Sequence, residues 1–243
     1  MLWDAAGGRR IYLKTSTPMK KIGPPMISAG RESTLPTLRR HELEGTLRAG
    51  DIVFTRISRT PFRQIAHATG TWTNHVGIVV GFDGVGAVVA ESRVPLSRFT
   101  RFANFVRRSA HGRVAVLRLH RPLSDEEIRR LQRAAGCRLG RIYDTGFNLR
   151  SSRRQFCSRF VRETLQESTG VVVGEVTTFR ELLERRPGID LRLWKVWYFG
   201  RIPWERATVT PESLYGSPSL KVVFDGTVPN SVCSMGRTDG HVT

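Results

Sequence analysis

The chain is predicted to fold as an α+β domain, with an antiparallel sheet or small barrel from its first half packed against helices from its second. Three observations lead there. Two adjacent runs, His75–Gly81 (HVGIVVG) and Gly86–Ser92 (GAVVAES), have the β-branched content of paired strands around a short polar loop. Two later segments open with capping-box pairs, Ser124 with Glu127 and Thr178 with Glu181. No apolar run approaches the roughly 18 residues that span a bilayer, so the 40% hydrophobic content must fill a core instead.

The elements follow in order. Gly50 punctuates the start of a strand over Asp51–Ser58 (DIVFTRIS). In the hairpin, Phe82, Asp83 and Gly84 form a three-residue loop with Gly84 left-handed. Val114–Leu119 (VAVLRL) is a further strand. The helix capped by Ser124 carries Ile128, Leu131, Ala135 and Leu139 on one face, with Gly140 placed to end it. A second helix spans about Gln155–Glu167, with Ser151 or Ser152 as cap and Phe156, Phe160, Val161 and Leu165 facing inward. A third runs from Phe179 to Arg185, stopped by Pro187. An aromatic cluster (Trp194, Trp197, Tyr198, Phe199, Trp204) and a strand at Leu220–Phe224 complete the domain.

Residues 46–225 therefore form one domain, between an expected disordered leader over 1–45 and a flexible tail over 226–243, neither of which sustains a period. The N-terminus lacks the apolar core of a secretory signal. Three scattered cysteines, Cys137, Cys157 and Cys233, suit reduced thiols in a cytoplasm better than a disulfide framework, and none has a His at zinc-site spacing, so no metal or cofactor is expected.

The net charge of +18 raises the question of an anionic partner. Of the 39 basic residues 34 are Arg, a bias that base composition alone can produce, and no specific nucleic-acid binding is expected. The excess is local. From Ser92 to Arg162 there are 18 Arg against Asp125, Glu126, Glu127 and Asp144. Either this is a solvated surface or a basic rim that meets an anionic substrate or membrane surface.

Cys157, in SSRRQFCSRFV, falls in the first turn of a predicted helix, among Arg150, Arg153, Arg154 and Arg159. The positive helix end and these charges lower a thiol's pKa from its usual value of about 8.5. A buried structural cysteine is the competing reading, and local context alone does not decide between them. A thiolate nucleophile needs a base. Of the six histidines, His41 precedes the fold, His67, His111 and His120 sit in or beside loops, and His241 is in the tail, whereas His75 opens a strand. With the hairpin centred on Asp83, opposed residues have numbers summing to 166, which places His75 against Glu91 on one face. Glu91 then fixes the imidazole tautomer, unless the pair is only a half-buried salt bridge.

The segments TNHVGIVVG, VVAESRVPLS, GRIYDTGF and RQFCSRFV, in that order, resemble the circularly permuted papain-like hydrolases of the NlpC superfamily, nearest to the YiiX/YebB-like branch. The run FGRIPWERATVTPESLY is similar to the YebB type. In that group the His-bearing strands precede the Cys-bearing helix, as here. The resemblance covers about Leu47 to Tyr215 and implies Cys157 as nucleophile, His75 as base and Glu91 as third polar residue. It implies a cysteine hydrolase acting through a thioester on amide or peptide bonds, with cell-wall-like peptides as the first candidate substrate. Permuted relatives also include lipid acyltransferases, so a lipid-like substrate stands as the alternative, and a non-catalytic basic module as a third. Tyr143 and Asn74 are candidates to shape the pocket or position the base, with packing or turn roles competing. Trp72 and the aromatics near Trp197 either line an apolar groove or pack the core.

Overall fold

A computed structural model describes residues 35–58, 71–185 and 190–229. The strands are β1 Ile52–Ile57, β2 His75–Asp83, β3 Gly86–Glu91, β4 Arg98–Arg101, β5 Ser109–Leu119, β6 Ile142–Tyr143, β7 Arg154–Gln155, β8 Val176–Thr178, β9 Ala207–Val209 and β10 Leu220–Thr227. The helices are α1 Arg40–Thr46, α2 Phe102–Val106, α3 Asp125–Gly136, α4 Cys157–Thr169, α5 Phe179–Glu184, α6 Arg192–Trp197 and α7 Pro211–Tyr215.

Six strands form one antiparallel sheet in the order β10-β5-β1-β2-β3-β4. The sheet stays open, so of the two expected alternatives the barrel does not form among the described residues. Its central strands are buried on both faces, because successive side chains point to opposite sides. Ile52, Phe54, Val76, Ile78, Ala90 and Leu117 pack with Leu131 of α3 and with Phe160, Val161 and Leu165 of α4. Val53, Val79, Val89, Val114 and Val116 pack with Leu43 of α1 and with Phe102, Phe105 and Val106 of α2. Full burial of a side chain such as Phe160 or Leu165 contributes about 2–3 kcal/mol. No helix among the described residues is long and apolar enough to cross a membrane.

The capping boxes form as expected: Ser124 and Thr178 accept from the backbone N–H groups of Glu127 and Glu181. Several boundaries differ. The ordered chain starts before residue 46: α1 buries Leu43 completely, and Thr37 bridges to Thr227. The capped helix α3 ends at Gly136, leaving Leu139 and Gly140 beyond it. Neither Ser151 nor Ser152 caps α4; its N-cap is Phe156, which provides no side-chain bond. The last strand reaches Thr227, past the expected start of the tail. Residues 1–34 of the leader, residues 230–243 of the tail, Pro187, His67, His241 and Cys233 lie outside the described residues.

The hairpin between β2 and β3 is corrected in a way that matters for the site. Its loop is Gly84-Val85, not Phe82-Asp83-Gly84, and Gly84 is not left-handed. Asp83 Oδ1 accepts from the N–H groups of Val85 and Gly86, at 2.8 and 3.0 Å, which ties the turn from within. Beside the turn, opposed residues sum to 169 (Phe82 with Ala87). The register then shifts between Val79 and Gly81, and beyond this bulge they sum to 168 (Val79 with Val89). On the His75 side of the bulge the expected sum of 166 is thus wrong by two, and an even error leaves the side chains there on the expected face. His75 is diagonal to Glu91 rather than directly opposite it.

The arginine excess between Ser92 and Arg162 also looks different in three dimensions. Arg101, Arg108, Arg113 and Arg118 pair with Asp83, Glu91, Asp225 and Asp51, Arg138 pairs with Glu163 and Glu167, and Arg159 with Glu163, all acids from outside that segment. Counting acids within the segment therefore overstates its free charge.

Candidate active site

Cys157 is the first residue of α4, whose opening turn carries no acidic side chain and whose leading N–H groups have no partners within the helix. Phe156 arrives extended, and its ring packs edge-on against Phe147. The thiol is 3% exposed, whereas Cys137 at the end of α3 is exposed.

His75 is the first residue of β2, and the residues before it pin that strand end. Asn74 accepts from Ile57 N–H at 2.7 Å and donates to Ile57 O at 2.9 Å, which locks the start of β2 to the end of β1. Phe105 of α2 stacks on the imidazole with centroids 5.4 Å apart and planes at 30°. Imidazole Nε2 meets Glu91 Oε2 at 2.6 Å, which leaves Nδ1 for the thiol.

Glu91 is fully buried and has three partners. Besides His75, Thr100 Oγ1 donates to Oε1 at 2.6 Å, and Arg108 Nη2 donates to both carboxylate oxygens at 2.8 Å. The Arg108 guanidinium also lies over the Phe105 ring, 5.2 Å from its centroid.

These contacts set the protonation states. Burial raises the Glu91 carboxyl, but the hydrogen bond and charge of His75 and the charge of Arg108 outweigh it and bring the pKa down to about 2. Burial lowers the His75 imidazole, yet its hydrogen bonds to Cys157 and Glu91 and their negative charges raise it to about 9. Burial likewise raises the Cys157 thiol, and the hydrogen bond and charge of His75, with Tyr143 and the Val76 N–H, carry it below its usual value. All three shifts favour the charged forms, the Cys157 thiolate, the His75 imidazolium and the Glu91 carboxylate.

Tyr143 is brought close by a local device. The two-residue strands β6 and β7 pair in parallel, Tyr143 against Gln155, which sets the phenol oxygen 3.9 Å from Cys157 Sγ. Burial and the neighbouring thiol push the phenol well above its usual pKa, so it stays a hydrogen-bond donor. Asn74, Tyr143 and Cys157 share a cleft with Phe147, Phe156, Phe179, Leu182, Trp194, Thr208 and Thr210, so its walls are mostly apolar.

The sequence thus placed Cys157, His75 and Glu91 together, and the structure brings all three side chains into one chain of contacts. Of the aromatic candidates, Trp194 lines the cleft, while Trp197 donates its indole N–H to Thr145 O. Trp72 packs elsewhere, edge-on to Tyr215 and beneath Arg113. His41, His111 and His120 are exposed. Sequence reasoning missed Thr100, Phe105 and Arg108. No group of three or more His, Cys, Asp or Glu side chains among the described residues could hold a metal ion.

No curated protein sequence matches significantly. Among solved structures, the metalloprotein yiiX from Escherichia coli O157:H7 is similar, at 27% identity and a TM-score of 0.65, covering 75% of this chain and 98% of its own. The family model described as a permuted papain-like amidase enzyme, YaeF/YiiX, C92 family, matches residues 46–224. This match spans most of the chain, so the protein belongs to this family of permuted papain-like amidases and is a cysteine hydrolase.

Proposed function

We propose that Cys157 is the nucleophile, His75 the general base and acid, and Glu91 the residue that orients the imidazole, in hydrolysis of an amide bond. The observation that carries this reading is the buried 2.6 Å contact between His75 Nε2 and Glu91 Oε2, which turns the other ring nitrogen toward a thiol at a helix start. The thiolate attacks the carbonyl carbon, forming a C–S bond, and the oxyanion is met by backbone N–H at the start of α4. The imidazolium gives its proton to the departing nitrogen as the C–N bond breaks. Water, deprotonated by His75, then attacks the thioester, and the C–S bond breaks to return the thiolate and release the acid. Cell-wall-like peptides are the first substrate class to try.

The apolar walls of the cleft favour a second reading, in which the acyl group is a fatty chain and the scissile bond a lipid ester or amide. Purified protein assayed on murein peptides and on phospholipid vesicles separates the two. Under the first, peptides are cleaved, phospholipids are not, and Cys157→Ala removes turnover. Retained turnover in Cys157→Ala, or alkylation of Cys157 no faster than that of Cys137 near neutral pH, overturns the assignment of the nucleophile.

A further inference from the structure

The active form of the site requires two anions, the Cys157 thiolate and the Glu91 carboxylate, to ionise together where neither reaches water freely: the two residues are 3% and 0% exposed. A single imidazolium between them leaves that row one negative charge in excess. Buried charges are strongly unfavourable unless matched. The fourth member of the row is Arg108, placed just beyond α2 with its Nη2 on both Glu91 oxygens and its Nε donating to Asn104 O at 3.3 Å. Phe105 spaces the cations, with the His75 ring stacked on it and the Arg108 guanidinium over it. From thiolate to guanidinium the charges then alternate and sum to zero.

We infer that Arg108 is a positioning residue that balances this row, so that Cys157 and Glu91 can be ionised at the same pH. The inference rests on the reading of Cys157 and His75 as the reactive pair. Arg108 acts through Glu91 and is not among the residues that line the cleft. One nitrogen makes both contacts, so a point charge is enough, and lysine can substitute where an uncharged side chain cannot. Removing the charge makes the first proton harder to remove from the thiol, whether Glu91 stays ionised or takes up a proton. In both cases the thiolate forms at higher pH. Other titratable or charged groups near this row are Tyr143, beside the sulfur, Asp144, whose charge acts on Tyr143, and Arg98, opposite Glu91 on β4.

The test is the rate of iodoacetamide alkylation of Cys157 against pH, mapped by mass spectrometry, with Cys137 as internal reference. Arg108→Met keeps the stem over Phe105 but not the charge. Its thiolate limb is expected to move up by about one pH unit, which slows alkylation on the wild-type limb about tenfold. Arg108→Lys is expected to stay within about threefold of the wild type. A merely structural role lowers the fraction of folded protein and leaves the limb in place. An unshifted limb in Arg108→Met, or an equal shift in Arg108→Lys, overturns the inference. If Arg108→Met does not fold, Arg108→Gln, which keeps a donor without the charge, takes its place with the same expected shift. Failure of the underlying reading looks different: wild-type Cys157 would titrate like Cys137, His75→Ala would change nothing, and both proposals would fall together.

Discussion

The face of the sheet that packs on α3 and α4 is apolar up to the thiol of Cys157, while the face beneath α1 and α2 ends in His75, Glu91, Thr100 and Arg108. The first face is held by area removed from water, a term that is non-directional and yields gradually to substitution. The second ends in charges that are tolerable only while every partner is present. The two halves of the proposed reactive pair thus come from opposite faces and rest on different physics. Damage to each should leave a different signature.

The largest effect is expected at the charged end. Glu91→Gln keeps the shape of the side chain but removes the anion that orients His75 and neutralises Arg108. Turnover should fall by about 10²–10⁴-fold, in the range of general acid–base contributions. Stability should fall as well, by about 1–3 kcal/mol, because the partly buried Arg108 guanidinium is left without its partner. Steady-state kinetics beside urea denaturation measures both. A variant that loses turnover without losing stability would mean that Arg108 finds another counter-charge.

On the apolar face, Leu165→Ala, two turns along α4 from Cys157, should cost about 2–5 kcal/mol and leave turnover per folded molecule within a few-fold. If its kinetics fall as steeply as its stability, the faces are not separable in the way described.

A pH series sharpens the contrast. Glu91 is held at about 2, against an ordinary 4.5, so its contribution is present above the ordinary carboxylate range and is lost as pH falls from about 4.5 toward 2. The loss should be on the order of 2–3 kcal/mol in the urea midpoint series, and absent in Glu91→Gln. Glu127 is also held at about 2, by Arg121 and the Ser124 backbone, but the Arg121 side chain opens to water, so the pair is screened and adds little. An acid loss of the same size in Glu91→Gln would assign it to surface carboxylates instead. The smallest effect is expected at the N-cap of α3, far from either half of the site: Ser124→Ala should cost about 1 kcal/mol and leave the pH–rate profile unchanged.

The sequence was most informative where one residue acts on its near neighbours. Ser124 and Thr178 reach N–H groups three residues on, and the strand alternation that buries Val76, Ile78 and Val80 is equally local. The placement of Cys157 at a helix start was legible for the same reason. What supports His75 was not. Thr100 lies on a four-residue strand, and Phe105 on a five-residue helix, both too short to show a period. Arg108 was one of 18 arginines in a segment read as either solvated surface or basic rim, and its partner lies 17 residues away on β3. The pairing of His75 with Glu91 was reached through a loop placed too early and a bulge left out. It survived because the combined error was even, and alternation depends only on parity.

That bulge also divides the hairpin into two parts with separate duties. On the turn side, Gly84 and Val85 project into solvent, Val85 being 68% exposed, in a loop closed by Asp83. On the other side, the ladder from Val79 back to His75 is packed between two cores. Because the change of phase is absorbed within β2, the tip need not keep its present length for the base to stay in place. It is the natural position at which to attach a label or insert a foreign loop while the chemistry is being measured.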